Sequence, residues 1–153
     1  MLRKSVAALL PAILLGSLSS CRKKEATVEI DRSGKNVTIR TADATVSTGG
    51  GSITLPANFP KEIPMYPGAR LAAAVEAGGA VGGRVVTIES SAWPDDIAKF
   101  YREKLPGWKT AMDMKTEDAH TLILRRPDGK LSLTIAATRE ALGTVATITV
   151  GSP

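Results

Sequence analysis

A single histidine, an acidic pair, two alternating methionines, a glycine-rich run and one cysteine are the residues with chemistry to offer. A zinc site wants three or four Cys, His or carboxylate ligands. His120 has only Glu117 and Asp118 beside it in sequence, so it is expected to be a solvated turn residue. Met112 and Met114 alternate on an expected strand and point one way, and Met65 and His120 are the residues that could join them. Soft thioether sulfur selects Cu(I), which defines a copper reading. Flexible core filling is the plainer account of the same pair and is preferred, because no larger ligand cluster accompanies it. Asp95 and Asp96 fall in the first turn of an expected helix, where acids suit the dipole, and adjacent helical residues do not face each other. Gly78 to Gly83 resembles a phosphate cradle only in composition: such a loop must open a helix, and here a strand follows. The serines lie in no nucleophile-elbow pattern and a single histidine limits triads. No catalytic residue, metal or cofactor is expected, and the chain is read as not an enzyme.

Cys21 remains, and its position gives it a meaning. Arg3 and Lys4 precede the apolar run Val6 to Leu15, and Leu18-Ser19-Ser20-Cys21 closes it with small residues. That is the layout of an export signal. The Leu-Ser-Ser-Cys segment resembles the lipobox of bacterial lipoproteins. The resemblance implies cleavage between Ser20 and Cys21 and a diacylglycerol on the Cys21 thiol. An ordinary signal peptide with a chance cysteine near its cut is the alternative. The expected location is the bacterial cell envelope, with the chain held at an inner or outer membrane and facing periplasm or exterior.

Removing residues 1–20 from the 153 leaves 133, enough for one domain with a small attachment. Arg3 and Lys4 leave with that segment, so Lys+Arg falls from 20 to 18 against 15 Asp+Glu, and the formal net charge falls from +5 to +3. Three of those positives, Arg22, Lys23 and Lys24, follow Cys21 directly and suit anionic head groups. The others form no stripe and no aromatics interleave with them, so nucleic acid is not an expected partner. With Cys21 alone no disulfide can form within the chain, and stability must come from an apolar core. The expected partners are the membrane, through the N-terminal lipid, and an envelope protein; the oligomeric state stays open.

Along the mature chain, residues 21–27 read as a charged tether. Val28, Val37, Val46 and Leu55 recur every nine residues within short alternating stretches, separated by turn formers. Residues 28–55 are therefore expected to be a small all-β meander, a β-solenoid being the alternative. Residues 56–68 carry four prolines in thirteen positions and read as a stiff connector, with Phe59, Ile63 and Tyr66 to pin it. Residues 69–153 read as the main domain. Strands are expected at Ala69 to Glu76, Arg84 to Glu89, Trp108 to Met114, Ala119 to Arg125, Lys130 to Thr138 and Thr144 to Val150. One helix of about eleven residues should open at Pro94, with Ile97, Phe100, Tyr101 and Leu105 on its apolar face. The expected fold class is α+β: an antiparallel sheet of five to six strands with one helix on one face, preceded by the meander.

Phe59-Pro60-Lys61-Glu62-Ile63-Pro64-Met65-Tyr66-Pro67-Gly68-Ala69, then Phe100-Tyr101 with Leu105, then Gly107-Trp108, resembles a pattern in uncharacterised bacterial lipoproteins. That pattern reads roughly FPKDVPxYPGA, then FYxxxL, then GW. The resemblance covers residues 56–109 best, implies an envelope lipoprotein and brings no assigned activity. Trp93 departs from it, standing before Pro94 where a small capping residue is usual.

The alternation on the last two strands gives the closest approach to function. Leu131, Leu133, Ile135 and Ala137 suit a helix-covered core, while Ser132, Thr134, Ala136 and Thr138 point the other way. Thr147 and Thr149 lie likewise opposite Ala146, Ile148 and Val150. A freely solvated sheet face usually carries more Lys and Glu. Thr134, Thr138, Thr147 and Thr149 therefore mark a possible interaction face, coverable by the meander, a second copy or a partner protein; threonine chosen for strand propensity alone is the plainer account. Two function classes follow: a non-catalytic, lipid-anchored interaction or scaffold module, or a lipoprotein that binds a small ligand or copper.

Overall fold

The computed structural model describes residues 26–50, 53–78 and 82–153. Nine strands form one antiparallel sheet: β1 (Thr27–Ile30), β2 (Asn36–Arg40), β3 (Ala44–Gly49), β4 (Arg70–Ala77), β5 (Arg84–Ser90), β6 (Lys109–Lys115), β7 (Ala119–Arg125), β8 (Ser132–Glu140) and β9 (Gly143–Gly151). Their spatial order is β1-β2-β3-β4-β5-β9-β8-β7-β6. The helix α1 (Pro94–Lys104) joins β5 to β6 and packs over β7 and β8.

This overturns the expected class of a five- to six-stranded sheet preceded by a separate meander. The nine-residue repeat does make hairpins, and it sets Val28 against Ile39 and Ile39 against Val46. But β3 then pairs with β4 through Val46↔Val75 and Ser47↔Ala74. Without β3 the outer edge of β4 would present a row of unpaired backbone groups, so the first three strands extend the main sheet as a wing. The fourth expected stretch of the repeat, residues 52–55, forms no strand over 53–55; its residue 52 lies outside the described residues. Pro56 starts the connector there and removes a ladder donor.

The two sides of the sheet are treated differently. Val86, Ile88, Leu122, Leu124, Leu133, Ile135, Ala146, Ile148 and Val150 all point to the helix side and are buried. Above them lie Ile97, Ala98, Tyr101 and Leu105 of α1, together with Phe59 and Ile63 of the connector. Trp93 occupies the N-cap in extended geometry without a side-chain cap, and Pro94, Asp95 and Asp96 open the helix. Tyr101, rather than Phe100, sits at the centre of the apolar stripe. Phe100 lies to its side, edge-on to Tyr66 at 5.1 Å and to Tyr101 at 5.2 Å. Every side chain of the buried core is on the helix side, and none of the described residues forms a covering layer on the far side of the sheet.

Candidate interaction face and its terminal hollow

Cross-strand register places the threonines marked by the sequence. Thr134 stands opposite Thr149, Ala136 opposite Thr147 and Thr138 opposite Val145. Thr87 of β5 is the partner of Thr147 on its other flank. All four marked residues therefore share the far side, on adjacent strands, with Thr138 exposed and the other three half-buried. The far side continues through Val85, Val75, Ala73 and Val46 toward β1, and through Thr121, Ile123, Met112 and Met114 toward β6. Its charges stand at the strand ends: Glu89, Arg70 and Glu140 at one end, Arg125 and Lys109 at the other. The meander, one of the three coverings considered for this face, continues the sheet edge to edge through the β3–β4 pairing instead of folding over it. Ser20 and Cys21 lie outside the described residues.

At the first of those ends the far side dips into a hollow of about 370 Å³. Its floor holds Arg70, Glu89 and Val145, and the β8–β9 turn forms a rim with Glu140, Leu142 and Gly143. Arg70 and Glu89 pair at 2.5 Å, which leaves Glu140 as the carboxylate with no ion partner among the described residues lining it. Leu142 is fully exposed at the turn. Gly143 has φ +149° and would carry a Cβ only 2.6 Å from the Ser90 carbonyl oxygen, so the turn closes tightly on the end of β5. Behind the rim, Arg139 donates to the Ser91 and Ala92 carbonyls at 3.1 and 3.3 Å and stacks 4.4 Å over the Trp93 ring. The Thr144 hydroxyl donates to the Ala92 carbonyl at 2.6 Å. These contacts fix the loop before α1 against β9.

His120 is not the solvated turn residue expected from its neighbours in sequence. It lies on β7, buried on the helix side, with Nδ1 2.8 Å from Asp95 Oδ1 and Nε2 2.7 Å from Asp113 Oδ1. Lys115 pairs with the same Asp95 and Arg102 with the same Asp113. Lys115 first, and then His120, hold the Asp95 carboxyl below the usual carboxylate range. The network ties the helix N-terminus and the edge strand β6 to β7. It offers a metal nothing, since both ring nitrogens already face carboxylates, and no group of three or more His, Cys, Asp or Glu suited to a metal occurs among the described residues.

The methionines also depart from expectation. Met112 and Met114 do share a side, but it is the uncovered one, and both are exposed rather than filling a core. Met65 packs against the core on the opposite side of the sheet, so the three thioethers do not converge. Tyr101 is a buried group that sequence reasoning placed but did not single out. Burial pushes its hydroxyl far above the ordinary phenol range, and the nearby Tyr66 backbone opposes this only weakly, without a well-formed hydrogen bond.

Residues 72–143 match a family model described as START domain-like. The match covers slightly under half of the chain, from β4 through α1 to the β8–β9 turn. It therefore takes in most of the hollow and leaves the wing outside. No curated protein and no solved structure matches the chain. No helix of the described residues is long and apolar enough to cross a membrane.

Proposed function

We propose that the chain is a lipid-anchored protein of the bacterial cell envelope that acts without catalysis, as a module holding a partner protein on its uncovered sheet face. The observation that carries the interaction reading is the far side itself. Across β5, β9 and β8 it offers Thr87, Thr147, Thr149, Thr134 and Ala136 with no charge among them. Lys or Glu would be usual on a face that only meets water. The anchor reading rests on Leu18-Ser19-Ser20-Cys21 and on the resemblance of residues 56–109 to envelope lipoproteins.

Two measurements test the two halves. Cys21→Ser should abolish fatty-acid labelling and release the chain from membranes or leave it uncut; unchanged labelling removes the anchor. Thr134→Lys combined with Thr147→Lys should remove partner crosslinks in intact cells while the fold persists. Crosslinks, sedimentation and thermal unfolding all identical to the parent would leave the face as plain strand surface.

A second reading, a small-ligand binder, is supported by the START domain-like match together with the hollow beneath Leu142. The site it favours is the hollow on the far side, because the space between helix and sheet is filled by Tyr101, Ile97, Leu122 and Ile135. A copper site has no comparable support.

A further inference from the structure

The wing has an apolar side and a polar side, and the tether ends at its outer edge. On the far side stand Val28, Ile30, Val37, Ile39 and Val46, with Thr48 as the polar residue among them; on the other stand Thr27, Glu29, Thr38, Arg40, Thr45 and Ser47. Polar contacts keep to the second side: Glu29 pairs with Arg40 at 3.5 Å, and the Thr38 and Ser47 hydroxyls meet at 3.2 Å. The start of the connector lies there too, with Leu55 and Pro56 beside Arg40, Thr45 and Ser47. None of the described residues lies over the apolar side: Val28 is 58%, Ile30 64% and Ile39 38% exposed.

We infer that the apolar side of the wing rests on the surface of the bilayer to which Cys21 is anchored. The inference rests on the lipid-anchor reading above and adds an occupant for this part of the face. Chain length carries it. Six residue steps separate Cys21 from Thr27 and span about 22 Å at most when fully extended. The sheet is about 38 Å across its eight strand spacings. Strand β1 is thus held within reach of the lipid surface, whereas β6 is free to stand well away from it. Confinement by the anchor raises the effective concentration of the wing at the surface, so a small apolar contact suffices. Charge agrees in balance: Arg22, Lys23 and Lys24 outnumber Glu25 in the tether, and Arg32 and Lys35 outnumber Asp31 in the β1–β2 turn, so anionic head groups attract both segments. Twist then separates the two parts of the far side. At about 20–25° per strand, the five spacings from β2 to β8 turn the threonine patch by roughly 100–125° from the wing. The wing can lie on lipid while Thr134 and Thr147 face outward.

Ile30 and Met114 make a matched pair for the test. Both are exposed apolar residues on the far side, at 64% and 59%, and they stand on the two opposite edge strands. Acylation would occupy Cys21, so Ile30→Cys or Met114→Cys would each supply the one free thiol for an environment-sensitive fluorophore. The full-length lipidated protein is reconstituted in phosphatidylethanolamine–phosphatidylglycerol vesicles, and quenching by iodide is compared. The expected result is blue-shifted emission at position 30 and an iodide quenching constant about threefold or more below that at position 114, as for a group lying in the headgroup boundary. Adding Val28→Glu and Ile39→Glu should restore quenching at position 30. Equal access at both positions overturns the inference, and equal shielding at both overturns it in favour of a protein or second copy covering the whole face. The mass of the purified chain separates the two ideas. An unmodified Cys21 sinks the anchor and the inference together, whereas an acylated Cys21 with open access at position 30 sinks the inference alone.

Discussion

His120 has carboxylate oxygens within hydrogen-bond distance of both ring nitrogens. Nothing in the sequence around position 120 announces this, because Asp95 and Asp113 lie 25 and 7 residues away and meet it only after α1 is placed and β6 pairs with β7. The threonines were legible for the opposite reason, since a period of two assigns a side whatever the neighbouring strand turns out to be. The network makes acid stability depend on Asp95. In the unfolded chain its carboxyl protonates near 3.8, whereas in the fold Lys115 and His120 keep it ionised to lower pH. The unfolded state therefore binds more protons in the acid range. The contribution of Asp95 is complete above the ordinary carboxylate value and is lost as pH falls through the folded one. The Tm of the parent should fall more steeply below about pH 4 than that of Asp95→Asn. Identical profiles would mean that the pairing leaves stability unchanged. The β8–β9 turn gives a second residue-scale expectation. Gly143→Ala sets a Cβ against the Ser90 carbonyl at a positive φ and should cost about 1–3 kcal/mol in urea unfolding, as strained backbone does.

Local pattern sufficed for the elements that pack on their own neighbours. The apolar spacing from Ile97 to Leu105 and the proline at its start foretold a helix, and α1 runs from Pro94 to Lys104. Ile97 is fully buried between helix and sheet. Ile97→Ala should therefore lower the unfolding free energy by about 2–5 kcal/mol, while the same change at exposed Leu142 should leave it nearly untouched. Alternation and turn residues likewise foretold β4, β5, β7, β8 and β9 to within a residue or two. What they could not tell is which strand lies beside which. A nine-residue repeat makes hairpins equally well in a separate meander or at the edge of a larger sheet, and only the open edge of β4 decides between them. The outcome has a dynamic signature. The wing has no buried side chain of its own and is joined to the core sheet by the β3–β4 ladder. Amide hydrogens of β1 and β2 should exchange roughly a hundredfold or more faster than those of β9 and β8, which lie inside the sheet. Equal protection would mean that the wing opens only when the whole sheet does.

At the scale of the molecule, one side of the sheet is saturated and the other is open. Among the described residues the layer between α1 and the strands is filled by buried side chains, so the proposed partner and the alternative small ligand would both be sought on the open side, at different parts of it. The hollow carries Glu140, without an ion partner among the described residues, beside the Arg70–Glu89 pair and the apolar Val145 and Leu142. That chemistry favours a short apolar body with a cationic head. Octylamine should raise the Tm of the parent more than octanoate does, because a ligand that binds only the folded state stabilises it by mass action. Val145→Trp, which fills the floor of the hollow, should abolish the difference, and Glu140→Gln should reduce it. Partner crosslinks should survive both substitutions, because Thr134, Thr147 and Thr149 lie beyond Thr138, the direct neighbour of Val145, and should fail in the Thr134→Lys, Thr147→Lys protein. If octylamine and octanoate act alike on the parent, the hollow is a surface dent and the small-ligand reading loses its site. If Val145→Trp removes ligand response and crosslinks together, ligand and partner share one site, and the partner reaches the sheet through the β8–β9 turn.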